Sequence, residues 1–181
     1  MKNARVTFNL LDRDYHDLFC YKEIICHLIF DFKMELTSKD RYVAGVHLNN
    51  HPFSMTYASV VSCGSVRLAF LIVELNDLDI LSGNTQNAYL NAPTKEKVFL
   101  YDGDEWKSDQ GEIVIVVRAI YGLNSSALAW RNHLSEILGN RLVFQSSLAD
   151  TDAYFKEATD KTGDEYYTYI LFYVDDLMIF D

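Results

Sequence analysis

The hydrophobic pattern along the chain switches between strand-like and helix-like segments. Apolar residues fill 26–34 and 41–46 on either side of the polar stretch 37–40, which predicts a β-hairpin with basic residues near its tip. A helix is expected next, capped by Ser62 or Ser65 and ending near Asn76. Its apolar residues recur at i, i+3, i+4 and i+7: Val66, Ala69, Phe70 and Val73.

The rest of the chain is rich in predicted strands. Apolar segments at 78–81, 98–101 and 113–119 precede a second helix, which should start at Ser125 or Ser126 and stop at Gly139. Further strands are predicted at 142–145, 153–156, 166–173 and 177–180, with a tight hairpin joining the last two. The pattern predicts an α+β fold, with an antiparallel sheet and helices packed on one face.

Composition narrows the class of protein. The 181 residues fit one domain of ordinary size, and 49% hydrophobic residues are enough to bury a core. No apolar run is long enough to cross a bilayer, and the N-terminus does not resemble a secretory signal, so the expected location is cytoplasmic or nuclear. Three cysteines without a CxxC pair favour neither a disulfide framework nor a zinc site.

Charge is distributed unevenly. Residues 1–60 carry seven basic and seven acidic side chains, whereas 61–181 carry nine and nineteen, which gives the chain its net charge of −10. Lys and Arg supply most of the affinity of proteins for nucleic acid. Binding of a polyanion would therefore need metal ions or a partner domain.

The sharpest local feature is a pair of adjacent carboxylates, Asp175 and Asp176, between two apolar segments. Taken alone, the pair is better explained as a solvated hairpin tip, because Asp is a common turn residue. Other parts of the sequence favour a functional role for the pair.

From about residue 25 onward the chain closely resembles the reverse transcriptase domain of copia-type retrotransposons. The resemblance implies a right-hand polymerase with fingers and palm over 25–181, preceded by an N-terminal extension, 1–24. The matching blocks, in order, are Lys39-Asp40-Arg41-Tyr42-Val43-Ala44-Gly45, Tyr57-Ala58-Ser59-Val60-Val61-Ser62, Asn87-Ala88-Tyr89-Leu90-Asn91-Ala92-Pro93, Ala119-Ile120-Tyr121-Gly122-Leu123, Ala149-Asp150-Thr151-Asp152 and Tyr173-Val174-Asp175-Asp176.

The resemblance also implies a catalytic site. Such enzymes use two Mg²⁺ ions, for which Mn²⁺ can substitute, to transfer deoxynucleotides, and Asp175 and Asp176 match the metal-binding carboxylates of the hairpin. The third carboxylate of the family falls at Asn84. An amide brings no negative charge, so Mg²⁺ should bind weakly if at all and activity should be severely reduced or absent.

Four residues match the nucleotide-binding positions of the family. Lys39 and Arg41 would hold the triphosphate, although two solvated turn residues are the simpler interpretation of the sequence alone. Tyr89 would support the incoming sugar, with core packing as its alternative. Asn124 stands where the family usually has Lys, which removes another positive charge.

The chain stops at Asp181, directly after the catalytic hairpin, so we expect a fragment without the thumb. The family implies template-primer and dNTP as substrates, other domains of a retrotransposon polyprotein as partners, and no membrane. Whether this chain is an active enzyme stays open. The alternatives are a non-catalytic relic and a module repurposed to bind protein or nucleic acid, with the sheet as its platform.

Overall fold

The computed structural model describes residues 7–11, 18–32, 38–45, 56–101, 103 and 112–181. These residues form a mixed α/β fold with two α-helices. The helices are α1 (Cys63–Asn76) and α2 (Ser126–Glu136), and the strands, in chain order, are β1 (Phe8–Leu11), β2 (Lys22–Glu23), β3 (Cys26–Phe32), β4 (Ser38–Ala44), β5 (Ile80–Asn84), β6 (Val98–Tyr101), β7 (Ile113–Val116), β8 (Gln145–Ser146), β9 (Ala153–Thr159), β10 (Glu165–Tyr173) and β11 (Asp176–Phe180).

The chain divides into two compact units. The first unit comprises Met1–Tyr57 and Tyr89–Trp130, and the second comprises Ala58–Ala88 and Arg131–Asp181. Each unit has its own sheet and its own hydrophobic core. In the part of the chain that the structure describes, no helix is both long and apolar enough to cross a membrane.

The first unit contains a four-stranded sheet in the order β1-β7-β6-β2 and a separate β3-β4 hairpin. Its core lies where the apolar side chains of β6 and β7 meet the segment that follows β7. Val114 and Ile120 are both almost fully buried there. Three successive residues of β6 are also buried, as expected for a strand covered on both faces.

The β3-β4 hairpin confirms the predicted pair of strands but corrects the predicted turn. Ser38 already pairs with Phe32, and Lys39 with Asp31, so residues 38–40 belong to β4 and not to a turn. Strand pairing uses backbone groups, which polar side chains do not prevent. Residues 33–37 lie outside the described part of the chain.

The second unit contains a fully antiparallel sheet in the order β5-β11-β10-β9-β8. Helix α1 begins as predicted, with the Ser62 hydroxyl accepting a hydrogen bond from the Ser65 backbone N–H at 3.1 Å. It ends at Asp77, whose left-handed backbone (φ 53°) lets its N–H reach the Val73 carbonyl.

The helices do not share one face of this sheet, which corrects the sequence-based expectation. Residues of α1 pack with Leu171 and Phe180 in one cluster. The neighbouring residue Phe172 points to the opposite face, where its ring contacts that of Tyr154, and the Tyr154 hydroxyl donates a hydrogen bond to Ser135 of α2. Continuous apolar runs such as 170–172 are buried on both faces, and periodicity alone does not assign a helix to either one.

The second helix also continues further than predicted. Helix α2 passes directly into a π-helical turn, Ile137–Arg141, so Gly139 lies inside the helical segment and does not end it. Gly139 does not have a positive φ, whereas the stop signal depends on a left-handed glycine. The segment ends instead near Val143, whose φ of 61° turns the chain toward β8.

Candidate active site

The two adjacent carboxylates lie at the tip of the β10-β11 hairpin in the second unit. Tyr173 pairs with Asp176, which leaves Val174 and Asp175 as a two-residue turn. Val174 has a φ of 57°, a left-handed conformation that is unfavourable for a β-branched residue and costs about 1–2 kcal/mol. Strain of this kind persists only where the surrounding structure imposes it, and it is concentrated at functional sites.

The structure places Asn84 directly beside Asp176. The two are paired residues on neighbouring strands β5 and β11, and the Asn84 amide nitrogen donates a hydrogen bond to Asp176 Oδ1 at 2.8 Å. The expectation that this amide meets the acidic hairpin in space is therefore confirmed. Its chemical role stays a prediction.

Asp175 is held through its backbone. Its carbonyl accepts a hydrogen bond from the Thr85 N–H at 2.7 Å, one residue beyond the end of β5. The end of β5 is thus tied to the hairpin tip twice, through Thr85 to Asp175 and through Asn84 to Asp176. Both carboxylates and the amide consequently occupy one small region of the second unit.

The donor set does not fit the pair of Mg²⁺ ions that the family implies. Mg²⁺ requires oxygen ligands in near-octahedral geometry and favours carboxylates. Here Asn84, at the position of the third carboxylate of the family, presents an N–H to Asp176 in place of a negatively charged oxygen. Among the described residues, no group of three or more His, Cys, Asp and Glu side chains is placed to hold a metal ion.

A second acidic pair, just before β9, has a structural role that the sequence did not reveal. Asp152 is fully buried, and its carboxylate accepts hydrogen bonds from Arg131 Nε at 2.7 Å and from the Ser59 hydroxyl. A buried carboxylate needs such partners because desolvation is costly. Asp152 therefore connects α2 to the segment before α1. The sequence signal that could have pointed to this role is the pair Asp150 and Asp152, separated by one residue and placed directly before β9.

Asp150 supports the start of α1. Its carboxylate accepts hydrogen bonds from the Ser65 hydroxyl at 2.6 Å and the Ser62 N–H at 2.9 Å. Burial acts to raise the pKa of Asp150, but the hydrogen bonds from Ser65, Ser62 and the Asp152 N–H outweigh burial and hold the pKa below its ordinary value. Asp150 thus remains charged and anchors the N-terminus of the helix.

The predicted nucleotide-binding residues lie in the first unit. Arg41 is on β4, two residues before Val43, which forms a β-bridge with Tyr121. The Tyr121 ring in turn contacts the Tyr89 ring, with centroids 4.8 Å apart. Lys39 also lies on β4, and Asn124 is half-buried in the turn before α2. The structure thus links β4 to Tyr89 through Tyr121.

Gly122 lies where the backbone after Tyr121 passes against β4, and only glycine fits there. Its φ is 91°, and a Cβ atom there would lie 2.1 Å from the Ala44 carbonyl oxygen. The Ala44 N–H also donates to the Tyr121 carbonyl at 2.8 Å, so the two backbones are in direct contact. Only a residue without a side chain allows this approach.

A comparison with known protein families identifies the family of this chain. The model of the reverse transcriptase (RNA-dependent DNA polymerase) family matches residues 21–181. The chain therefore belongs to this family, and the resemblance inferred from the sequence blocks is confirmed. No solved structure matches the chain. Strand β1 precedes the matched residues and pairs with β7 inside them, while the predicted boundary at residue 25 stays a prediction.

Proposed function

We propose that this chain is the fingers and palm part of a copia-type retrotransposon RNA-directed DNA polymerase, impaired in catalysis. The second unit would be the palm, and the β3-β4 hairpin would belong to the fingers. Residues 25–181 would form the polymerase region and 1–24 an N-terminal extension. Family membership over 21–181 and the meeting of Asn84 with the acidic hairpin support this proposal.

The impairment follows from one observation. The side chain opposite Asp176 is an amide that donates a hydrogen bond, where the family carries a carboxylate. Template-directed nucleotidyl transfer depends on strong electrostatic stabilisation of the triphosphate. With one negative charge fewer, the site retains Asp175 and Asp176 but holds Mg²⁺ or Mn²⁺ poorly.

The remaining site residues receive the roles of the family positions that they match. Arg41 and Lys39 would contact the triphosphate, and Tyr89 would lie against the sugar. Asn124 would replace a basic contact with a neutral one. The substrates would be a template-primer and dNTP, and the partners would be other domains of a retrotransposon polyprotein.

A non-catalytic role is the second candidate. The chain would then be a relic of the element or a domain repurposed to bind protein or nucleic acid. The hydrogen bond from Asn84 to Asp176 favours this alternative, because it satisfies the carboxylate without a cation.

Primer extension with Mg²⁺ and with Mn²⁺ tests the proposal. The full chain would be assayed alone, and it would also be grafted in place of the matching region of an active copia-type reverse transcriptase. The Asn84→Asp variant should raise extension by the graft about 10²-fold, since cation stabilisation contributes several kcal/mol and each ~1.4 kcal/mol is tenfold.

Asn76→Asp is the matched control, because it makes the same chemical change at an exposed amide that donates a hydrogen bond to the Ile72 carbonyl of its own helix. This control should not raise extension. If the grafted Asn84→Asp variant also extends no primer, the polymerase proposal fails and the non-catalytic candidate is preferred.

A further inference from the structure

We propose that the Asn84 amide takes the place of a divalent cation at the acidic hairpin, so that the hairpin closes against β5 without metal. This inference rests on the proposed function, because the interpretation of position 84 as a former metal-binding carboxylate comes from that proposal. Cation binding and stability are measurable without polymerase activity.

The geometry of the Asn84–Asp176 hydrogen bond supports this proposal. The Asn84 N–H group points at Asp176 Oδ1 from 2.8 Å, the ordinary distance for a bond to a charged acceptor. A Mg²⁺ ion on that oxygen would need to approach to about 2.0–2.1 Å. The amide protons, which carry partial positive charge, would face such an ion and repel it. The amide therefore competes with a cation and does not help to bind it.

The position of β5 in its sheet also supports the proposal. Among the residues that the structure describes, β5 is an edge strand, and all five of its residues are exposed, so little packing holds its end in place. A carboxylate at position 84 would stand directly opposite the Asp176 carboxylate. Like charges in directly paired positions destabilise a sheet. An aspartate at this position would need a cation to keep the strand end closed, and the amide removes that need.

Thermal unfolding of the full chain, followed by circular dichroism in EDTA, Mg²⁺ and Mn²⁺, tests the inference. The wild-type Tm should be the same in all three solutions. In EDTA the Asn84→Asp variant should melt about 3–6 °C lower, and millimolar Mn²⁺ should recover a similar amount, as expected for a coupled cation site in a chain of this size.

Two further variants separate charge from the loss of the amide. Asn76→Asp adds the same charge on α1 and should give no response to Mn²⁺. Asn84→Ala removes the hydrogen bond without adding charge, so its Tm should fall slightly and also stay independent of Mn²⁺. A Tm gain for the wild type in Mn²⁺ that equals the gain of Asn84→Asp would overturn the inference.

Direct binding provides a second measurement. Mn²⁺ titration followed by electron paramagnetic resonance should show at least about tenfold tighter binding to Asn84→Asp than to the wild type, which corresponds to ~1.4 kcal/mol. Equal Mn²⁺ affinity of the two proteins would overturn the inference that the Asn84 amide competes with a cation for Asp176. If Asn84→Asp is unfolded in EDTA, recovery of its far-ultraviolet spectrum on adding Mn²⁺ supports the inference, and failure to recover overturns it.

These outcomes are separable from those of the proposed function. Acquired Mn²⁺ binding without primer extension by the graft would sink the polymerase proposal and leave this inference standing. Extension that increases without any change in Mn²⁺ affinity would do the opposite.

Discussion

The buried ion pair between Arg131 and Asp152 provides the strongest test of how the second unit is held together. The change is Arg131→Gln, which keeps a polar side chain of similar reach but removes the positive charge. Asp152 is fully buried, whereas the Arg131 side chain is 20% exposed. The variant leaves a buried carboxylate with the Ser59 hydroxyl and no compensating charge.

The magnitude follows from this environment. Removing one partner of a buried ion pair typically costs about 3–5 kcal/mol. Because Arg131 is partly solvated and Ser59 still donates to the carboxylate, we expect the lower end, about 3 kcal/mol. For a chain of this size, this corresponds to a fall in Tm of about 6–12 °C.

The assay is urea unfolding followed by circular dichroism and tryptophan fluorescence, with Arg141→Gln as a matched control. Arg141 is an exposed arginine at the end of the π-helical turn, and its loss should change the free energy of unfolding by less than about 0.5 kcal/mol. The reasoning is refuted if Arg131→Gln unfolds within that same margin of the wild type.

Three further predictions address local structure. Gly122→Ala should be destabilised far more than Gly163→Ala, since both glycines have positive φ but only Gly122 would place its Cβ against backbone atoms; comparing their Tm values isolates the clash. Val174→Asn should raise stability by about 1 kcal/mol in urea unfolding by relieving the left-handed strain, and an unchanged midpoint would argue against strain at the turn. The pKa of Asp150 is lowered from its ordinary value of 3.8 in the folded state, so its stabilisation should be complete above the ordinary pKa and be lost as pH falls through the lowered pKa. The Asp150→Asn variant should therefore lose less stability than the wild type as the pH is lowered in this range. Parallel losses of stability for the variant and the wild type would contradict this.

Much of the local structure could be predicted from the sequence. Ser62 and the apolar spacing of α1 define that helix because capping and amphipathic periodicity act within a few residues. The β10-β11 hairpin was predictable for the same reason, since two apolar runs flank a short acidic turn. The matching sequence blocks also indicated the reverse transcriptase family, which the family comparison confirmed.

The prediction was wrong where long-range packing decides the outcome. The continuous apolar run 170–172 does not indicate which face receives which helix. Gly139 carries a stop signal that the π-helical turn overrides. No role was predicted for Asp152, because its buried contacts are with Arg131 and with Ser59, which lies far away in sequence. Such contacts have no local signature.

The sequence by itself determined the reverse transcriptase family and the identity of the side chain at position 84, because both are properties of residue types and their order. Only the tertiary structure decided that the Asn84 N–H points at Asp176 and that β5 lies at the edge of the described sheet. The physical reason is that the direction of a hydrogen bond depends on strand register, which is set by pairing between residues some ninety positions apart.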